Sequence, residues 1–160
     1  RIDLDHLADE GKALPVADGD EGVRSRAFVK CGEPLPEYEM EIRDERGTLL
    51  PDRHTGTIFV RGPSVMSGYF NAPQDIGGAL SADGWLNTGD IGYSVEGSLV
   101  ITGRQKDLII INGRNIWPQD LEYLAEHQDE TRVGDALALR EGIGGCLCRL
   151  AWHPIHCDRA

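Results

Sequence analysis

Between Tyr38 and Gly62 the chain alternates apolar and polar residues in two runs, and no other feature restricts its fold more. From Tyr38 to Arg43, Met40 and Ile42 point one way while Glu39, Glu41 and Arg43 point the other. From Gly56 to Gly62, Ile58 and Val60 share one face and Thr57, Phe59 and Arg61 the opposite one. A period of two is that of a pleated strand with one face buried, so both runs are expected to be strands. Asp44 to Gly47 has turn composition.

The same reasoning extends along the chain. Ser98 to Thr102 and Asp107 to Ile111 read as two more strands, the unbroken apolar run Leu108 to Ile111 suiting one buried on both faces. Pro118 suits the first turn of a helix, where its missing N–H costs nothing, and Leu121, Leu124 and Ala125 follow at helical spacing. A short helix is expected around Gln74 to Leu80 and a turn at Asp83-Gly84. Asp18 to Glu21 is acidic and broken by glycine, so it reads as a loop, with ordered structure starting near Ala27. The fold class expected is mixed α/β and β-rich.

Bulk properties remove several function classes. With 160 residues the chain can form one domain with a core, or one domain and part of another. A formal charge of −11 argues against nucleic acid, whose phosphates are bound by surplus Lys and Arg. No apolar run approaches the roughly 20 residues needed to span a bilayer, and Arg1 to Glu10 lacks the order of a secretory leader. A cytoplasmic location is therefore expected, and the opening on Arg1 hints that sequence precedes it.

Cys31 stands apart from Cys146, Cys148 and Cys157, which makes no disulfide framework, so reduced thiols are expected. The last twenty residues hold three of the four cysteines and no clear periodicity, and 141–160 is expected to be disordered or foreign. Residues beyond about Gln128 are expected to be mobile. Cys146, Cys148, His153, His156 and Cys157 are ligand types that suit zinc, but their spacing is unlike paired-cysteine sites, and no metal site is assigned.

The segment richest in chemistry is Gly84-Trp85-Leu86-Asn87-Thr88-Gly89-Asp90, followed by Gly103-Arg104-Gln105-Lys106-Asp107. Gly89 permits a tight turn that leaves the Asp90 carboxylate projecting from a loop. A carboxylate accepts two hydrogen bonds at once, as the paired hydroxyls of a ribose require, and Arg104 adds a rigid fork of donors for sugar or phosphate oxygens. The plainer alternative is an ordinary turn with Asp90 and Arg104 paired on the surface.

Three runs occur in a familiar order: Gly56-Thr57-Ile58-Phe59-Val60-Arg61-Gly62 continuing to Asn71, then Trp85 to Asp90, then Gly103 to Glu122. Over roughly Ala27 to Leu139 the chain resembles the adenylate-forming superfamily, which includes acyl-CoA synthetases, peptide-synthetase adenylation domains and fatty acyl-AMP ligases. The quartet Trp117-Pro118-Gln119-Asp120 makes it most similar to the fatty acyl-AMP ligases.

The resemblance implies that residues 1–104 are the C-terminal part of a large AMP-binding domain, with its β-rich subdomain from about residue 27. It further implies that 105–140 form a hinge and the start of a small α+β domain. Asp90 and Arg104 match ribose-binding positions, Lys106 a hinge and Gly113 a loop lining the pantetheine path. For Lys106 the alternative is an exposed lysine, and for Gly113 a hairpin turn. The implied reaction joins a fatty acid to ATP, with Mg2+, giving acyl-AMP and pyrophosphate. The acyl group then passes to an acyl carrier protein, or to CoA in the acyl-CoA synthetases.

The resemblance also has gaps. The family's phosphate loop, acyl pocket and adenine-binding segment lie upstream of anything present here, and its adenylation lysine lies near the C-terminus, whereas no lysine follows Lys106. No catalytic residue is therefore assigned, neither ATP nor Mg2+ is expected to bind this piece tightly, and it is expected to be inactive alone. A noncatalytic nucleotide-binding module is the remaining alternative.

Overall fold

The computed structural model describes residues 1–17, 19–20, 22–68, 79–111, 114–127, 138–140 and 148–150. The chain divides into two compact units, Arg1–Lys106 and Asp107–Ala160. It is a mixed α/β, strand-rich fold.

The first unit opens on a two-residue strand β1 (Ile2–Asp3) and a helix α1 (Leu4–Glu10). Strands β2 (Ser25–Arg26), β3 (Lys30–Gly32), β4 (Glu39–Arg43), β5 (Gly56–Arg61), β6 (Leu86–Val95) and β7 (Ser98–Arg104) follow. β1 pairs with β2, and the other five form an antiparallel sheet in the order β3-β7-β6-β5-β4. The alternation of the sequence explains the β4–β5 register: Met40 lies opposite Val60, and Ile42 opposite Ile58. Ile42 and Ile58 are buried, while Glu39 and Arg61 pair on the other face through bonds of 2.7 Å.

Ordered structure does not wait until Ala27. Ile2, Leu4, Leu7 and Ala13 pack with Tyr93, Val95 and Val100 into the hydrophobic core, with Phe28 against it. A seven-residue helix is too short to persist on its own. The burial of Leu4 and Leu7 against the β6–β7 face supplies what its own length lacks.

Asp3 caps α1, accepting from the N–H groups of Asp5 at 2.9 Å and His6 at 3.1 Å, and meeting His6 Nδ1 at 2.8 Å. The hydrogen bond to Asp3 and its charge, with lesser contributions from Glu10 and Asp5, raise the His6 pKa above the usual 6.5 against a small desolvation penalty. Desolvation pushes Asp3 upward, but the bonds and charge of His6 and the amide of Asp5 outweigh it and leave Asp3 below 3.8. The raised His6 value means its stabilisation is complete below about 6.5 and fades as pH rises through the folded value. The lowered Asp3 value means its stabilisation holds above 3.8 and fades as pH falls through the folded value. Amide exchange in α1 is therefore expected to quicken from mildly acidic to mildly alkaline pH by more than the intrinsic exchange rate. His6→Gln is expected to remove that excess, and an identical excess in the variant would refute the pairing.

In the second unit β8 (Ile109–Ile111) pairs with β9 (Arg114–Ile116), a helix α2 (Pro118–Glu126) follows, and β10 (Ala138–Arg140) pairs with β11 (Cys148–Leu150). Pro118 occupies the first turn of α2, as the sequence predicts. One expectation is corrected here. Gln105–Asp107 forms a 3-10 turn, so the strand expected from Asp107 begins at Ile109. Of 141–160, expected to be disordered or foreign, only Cys148–Leu150 lies among the described residues, where it forms β11 and satisfies its backbone against Ala138–Arg140. Leu124, one of the residues at helical spacing, is exposed, as is Tyr123. The helix expected around Gln74 to Leu80 falls largely outside the described residues, within which Leu80 makes an isolated bridge to Leu86. Among the described residues no helix is long and apolar enough to cross a membrane.

Candidate functional site

Gly89 and Asp90 lie inside β6, the central strand of the sheet, and not in the loop the sequence suggests. The strand carries its irregularity internally. Thr57 lies opposite Ile91 and Phe59 opposite Asn87, so two steps on β5 are matched by four on β6. Such a bulge bends a strand and re-aims its side chains.

Asn87, Thr88 and Gly89 build the bulge. The Thr88 hydroxyl donates to the carbonyl of Ile58 at 3.0 Å and accepts from the N–H of Asp90 at 3.1 Å. Asn87 Oδ1 accepts from the N–H of Gly89 at 2.9 Å. Gly89 has φ +74, and nothing lies within 4 Å of where a Cβ would sit, so backbone conformation and not space favours glycine there.

The strand entering this bulge is anchored by Trp85, which is 4% exposed. The guanidiniums of Arg43 and Arg61 lie over its ring at 4.9 Å and 4.7 Å, within the range of cation–π attraction. Ser81 secures the turn beneath it, accepting from Trp85 N–H at 3.0 Å.

Asp90 lies directly opposite Arg104 on β7, and Arg104 Nε donates to Asp90 Oδ1 at 3.1 Å. The two residues singled out from sequence, fourteen positions apart, are therefore brought into contact. An exposed pair of this kind contributes only about 0–1 kcal/mol to stability, so the fold does not depend on it. Arg104 and Lys106 also line one open depression with Thr88, Gly89 and Gln105, with a volume of about 280 Å3. Asp90 is not among its lining residues but is bonded to one that is. Lys106 lies in the 3-10 turn at the end of the first unit. Gly113 lies outside the described residues, though Ile111 and Arg114 pair on either side of it.

The surface-pair alternative is thus literally present, and it is joined by a built bulge and a depression carrying two cationic side chains. Thr88 and Asn87 had no assigned role in the sequence; the signal available there was a hydroxyl and an amide immediately before a glycine. Among the described residues no group of three His, Cys, Asp or Glu could hold a metal ion.

Residues 13–70 match the family model described as AMP-binding enzyme. The chain is 50% identical over 138 residues to a Caulobacter vibrioides protein assigned as an acyl-CoA synthetase, covering 86% of this chain and 24% of that protein. It is 35% identical over 143 residues to the long-chain-fatty-acid–AMP ligase FadD32 of Mycolicibacterium smegmatis, covering 78% of this chain and 22% of the ligase. A solved structure from work on fatty acyl-adenylate ligases of E. coli and L. pneumophila superposes with a TM-score of 0.72 at 49% identity, over 87% of this chain and 25% of that one. The chain thus spans about a quarter of the length of these relatives. From the spaced motifs, the sheet and these likenesses together, the chain belongs to the adenylate-forming, AMP-binding enzymes, among the acyl ligases.

Proposed function

We propose that this chain carries the ribose-binding edge and the swivel of an ATP-dependent fatty acyl-AMP ligase. The observation that carries the reading is the Asp90–Arg104 contact of 3.1 Å beside a depression lined by Arg104 and Lys106. A ribose hydroxyl can donate to a carboxylate, and a guanidinium has donors beyond Nε for a sugar or phosphate oxygen. In the reaction proposed for the whole enzyme, a fatty acid carboxylate oxygen attacks the α-phosphorus of ATP and pyrophosphate leaves; a carrier-protein thiol, losing its proton, then attacks the acyl carbon of acyl-AMP, the acyl C–O bond breaks and AMP leaves. Lys106, at the boundary between the two units, is the position about which the second would rotate between these half-reactions. Gly113 would line the pantetheine path.

Titrating the labelled chain with AMP is expected to shift the amides of residues 88–90 and 104–106. Asp90→Ala is expected to weaken binding by roughly 10- to 100-fold, the scale of lost hydrogen bonds to a charged group. An AMP response that is unchanged in Asp90→Ala, or absent from these amides, would overturn the reading.

No lysine follows Lys106 within these 160 residues, so no lysine from that side would offset charge developing at the α-phosphate. The purified chain given fatty acid, ATP and Mg2+ is expected to release no pyrophosphate, and measurable release would refute that expectation. The Caulobacter vibrioides relative favours CoA as a second reading for the acceptor. A fuller test places residues 27–139 in the matching stretch of the Mycolicibacterium smegmatis ligase. Acyl-AMP formation is expected to survive the graft and to fall sharply when Asp90→Ala is added.

A further inference from the structure

We infer that Thr88 and Thr102 are positioning residues, whose hydroxyls close two adjacent β-bulges and thereby hold the Asp90 carboxylate against Arg104. This rests on the nucleotide reading of that pair.

The first bulge is the two-residue excess of β6 over β5. The second lies on β7, where Ile91 is opposite Gly103 but Gly92 is opposite Ile101, one step on β6 against two on β7. The Asp90–Arg104 pair sits at the end of the β6–β7 ladder, flanked by both irregularities. Each bulge interrupts the backbone ladder, and a threonine hydroxyl donates to a main-chain carbonyl at each. Thr88 donates to the carbonyl of Ile58 at 3.0 Å, and Thr102 to that of Ile91 at 3.1 Å. Thr88 also receives the N–H of Asp90 itself, so one hydroxyl fixes both the partner strand and the peptide bearing the carboxylate. Thr102 is 5% exposed, and a polar group at that depth needs its bond. The bonds of both hydroxyls are to main-chain atoms, Thr88 to Ile58 and Asp90 and Thr102 to Ile91, so each acts on the Asp90 carboxylate and the Arg104 guanidinium through the backbone.

The test uses the full chain with Thr88→Val, which keeps the shape and removes the hydroxyl, Thr88→Ser, which restores it, and Thr102→Val with Thr102→Ser. Val95→Ala serves as a control that destabilises the same sheet without touching the bulges. Three readouts are taken: solvent exchange of Asp90 N–H and Arg104 Nε–H at mildly acidic pH, AMP affinity by shift titration, and the thermal midpoint. Thr88→Val is expected to speed both exchanges and to weaken AMP roughly tenfold, with Thr88→Ser near wild type on both. Thr102→Val is expected to act in the same direction with a larger fall in thermal midpoint, and Thr102→Ser to recover it.

The inference is overturned if Thr88→Val leaves Asp90 N–H and Arg104 Nε–H protected as in wild type. It is equally overturned if Val95→Ala weakens AMP as much as Thr88→Val does. Should the wild-type chain show no AMP response at residues 88–90 and 104–106, the nucleotide reading falls, while the exchange measurement still decides whether the hydroxyls position the pair.

Discussion

Gly92→Ala is expected to destabilise the Arg1–Lys106 unit by about 3 kcal/mol, lowering its thermal midpoint by roughly 15 °C. Gly92 lies in the middle of β6, and a Cβ there would collide with the carbonyl oxygen of Val100 and reach Ile58 Cδ1 at 3.0 Å. The obstacle is backbone of the neighbouring strand, which no rotamer change relieves. Opening the β6–β7 pair would disturb Val100, which is 1% exposed, and Tyr93 beside Gly92. Domains are stable by only about 5–15 kcal/mol, so this one methyl group removes a large share. Thermal and urea melts of the variant would measure it, and a midpoint within two or three degrees of wild type would show that the two strands have more freedom than their contacts imply.

Leu7→Ala is expected to cost about 2–5 kcal/mol, the range found for truncating a large aliphatic side chain in a close-packed core. Leu7 is 2% exposed and belongs to the cluster that joins α1 to Tyr93, Val95 and Val100. Its loss leaves a void beneath a helix only seven residues long, with few other contacts to retain it. Urea denaturation should show a lower midpoint, and exchange of the α1 amides should approach that of an unstructured segment. If Leu7→Ala matched an exposed change such as Leu14→Ala, the N-terminal segment would not be part of the core.

The elements legible in the sequence share one property: their signal is local. The alternation of β4 and β5 sets their faces, and Pro118 sets the start of α2, each within a window of a few residues. β6 was not legible because Asn87, Gly89 and Asp90 are residue types that strands disfavour. They are held there by pairing on both sides, with side-chain bonds at the bulge standing in for the interrupted ladder. Asp90 and Arg104 could be picked out by residue type and resemblance, but the loop assigned to Asp90 is a strand, and the threonines around it carried no warning of their role.

The sequence by itself determined the family, the half-buried strands, the helix begun at Pro118, and the acid and guanidinium worth watching, because motif and period are written in neighbouring residues. Only the tertiary structure decided that the first thirteen residues help build the core, that Cys148–Leu150 pairs back on Ala138–Arg140, and that Asp90 meets Arg104 across two bulged strands. Those outcomes depend on burial and backbone pairing between segments distant in the chain, and a bulge exists only as a mismatch between two strands, so neither strand read alone contains it.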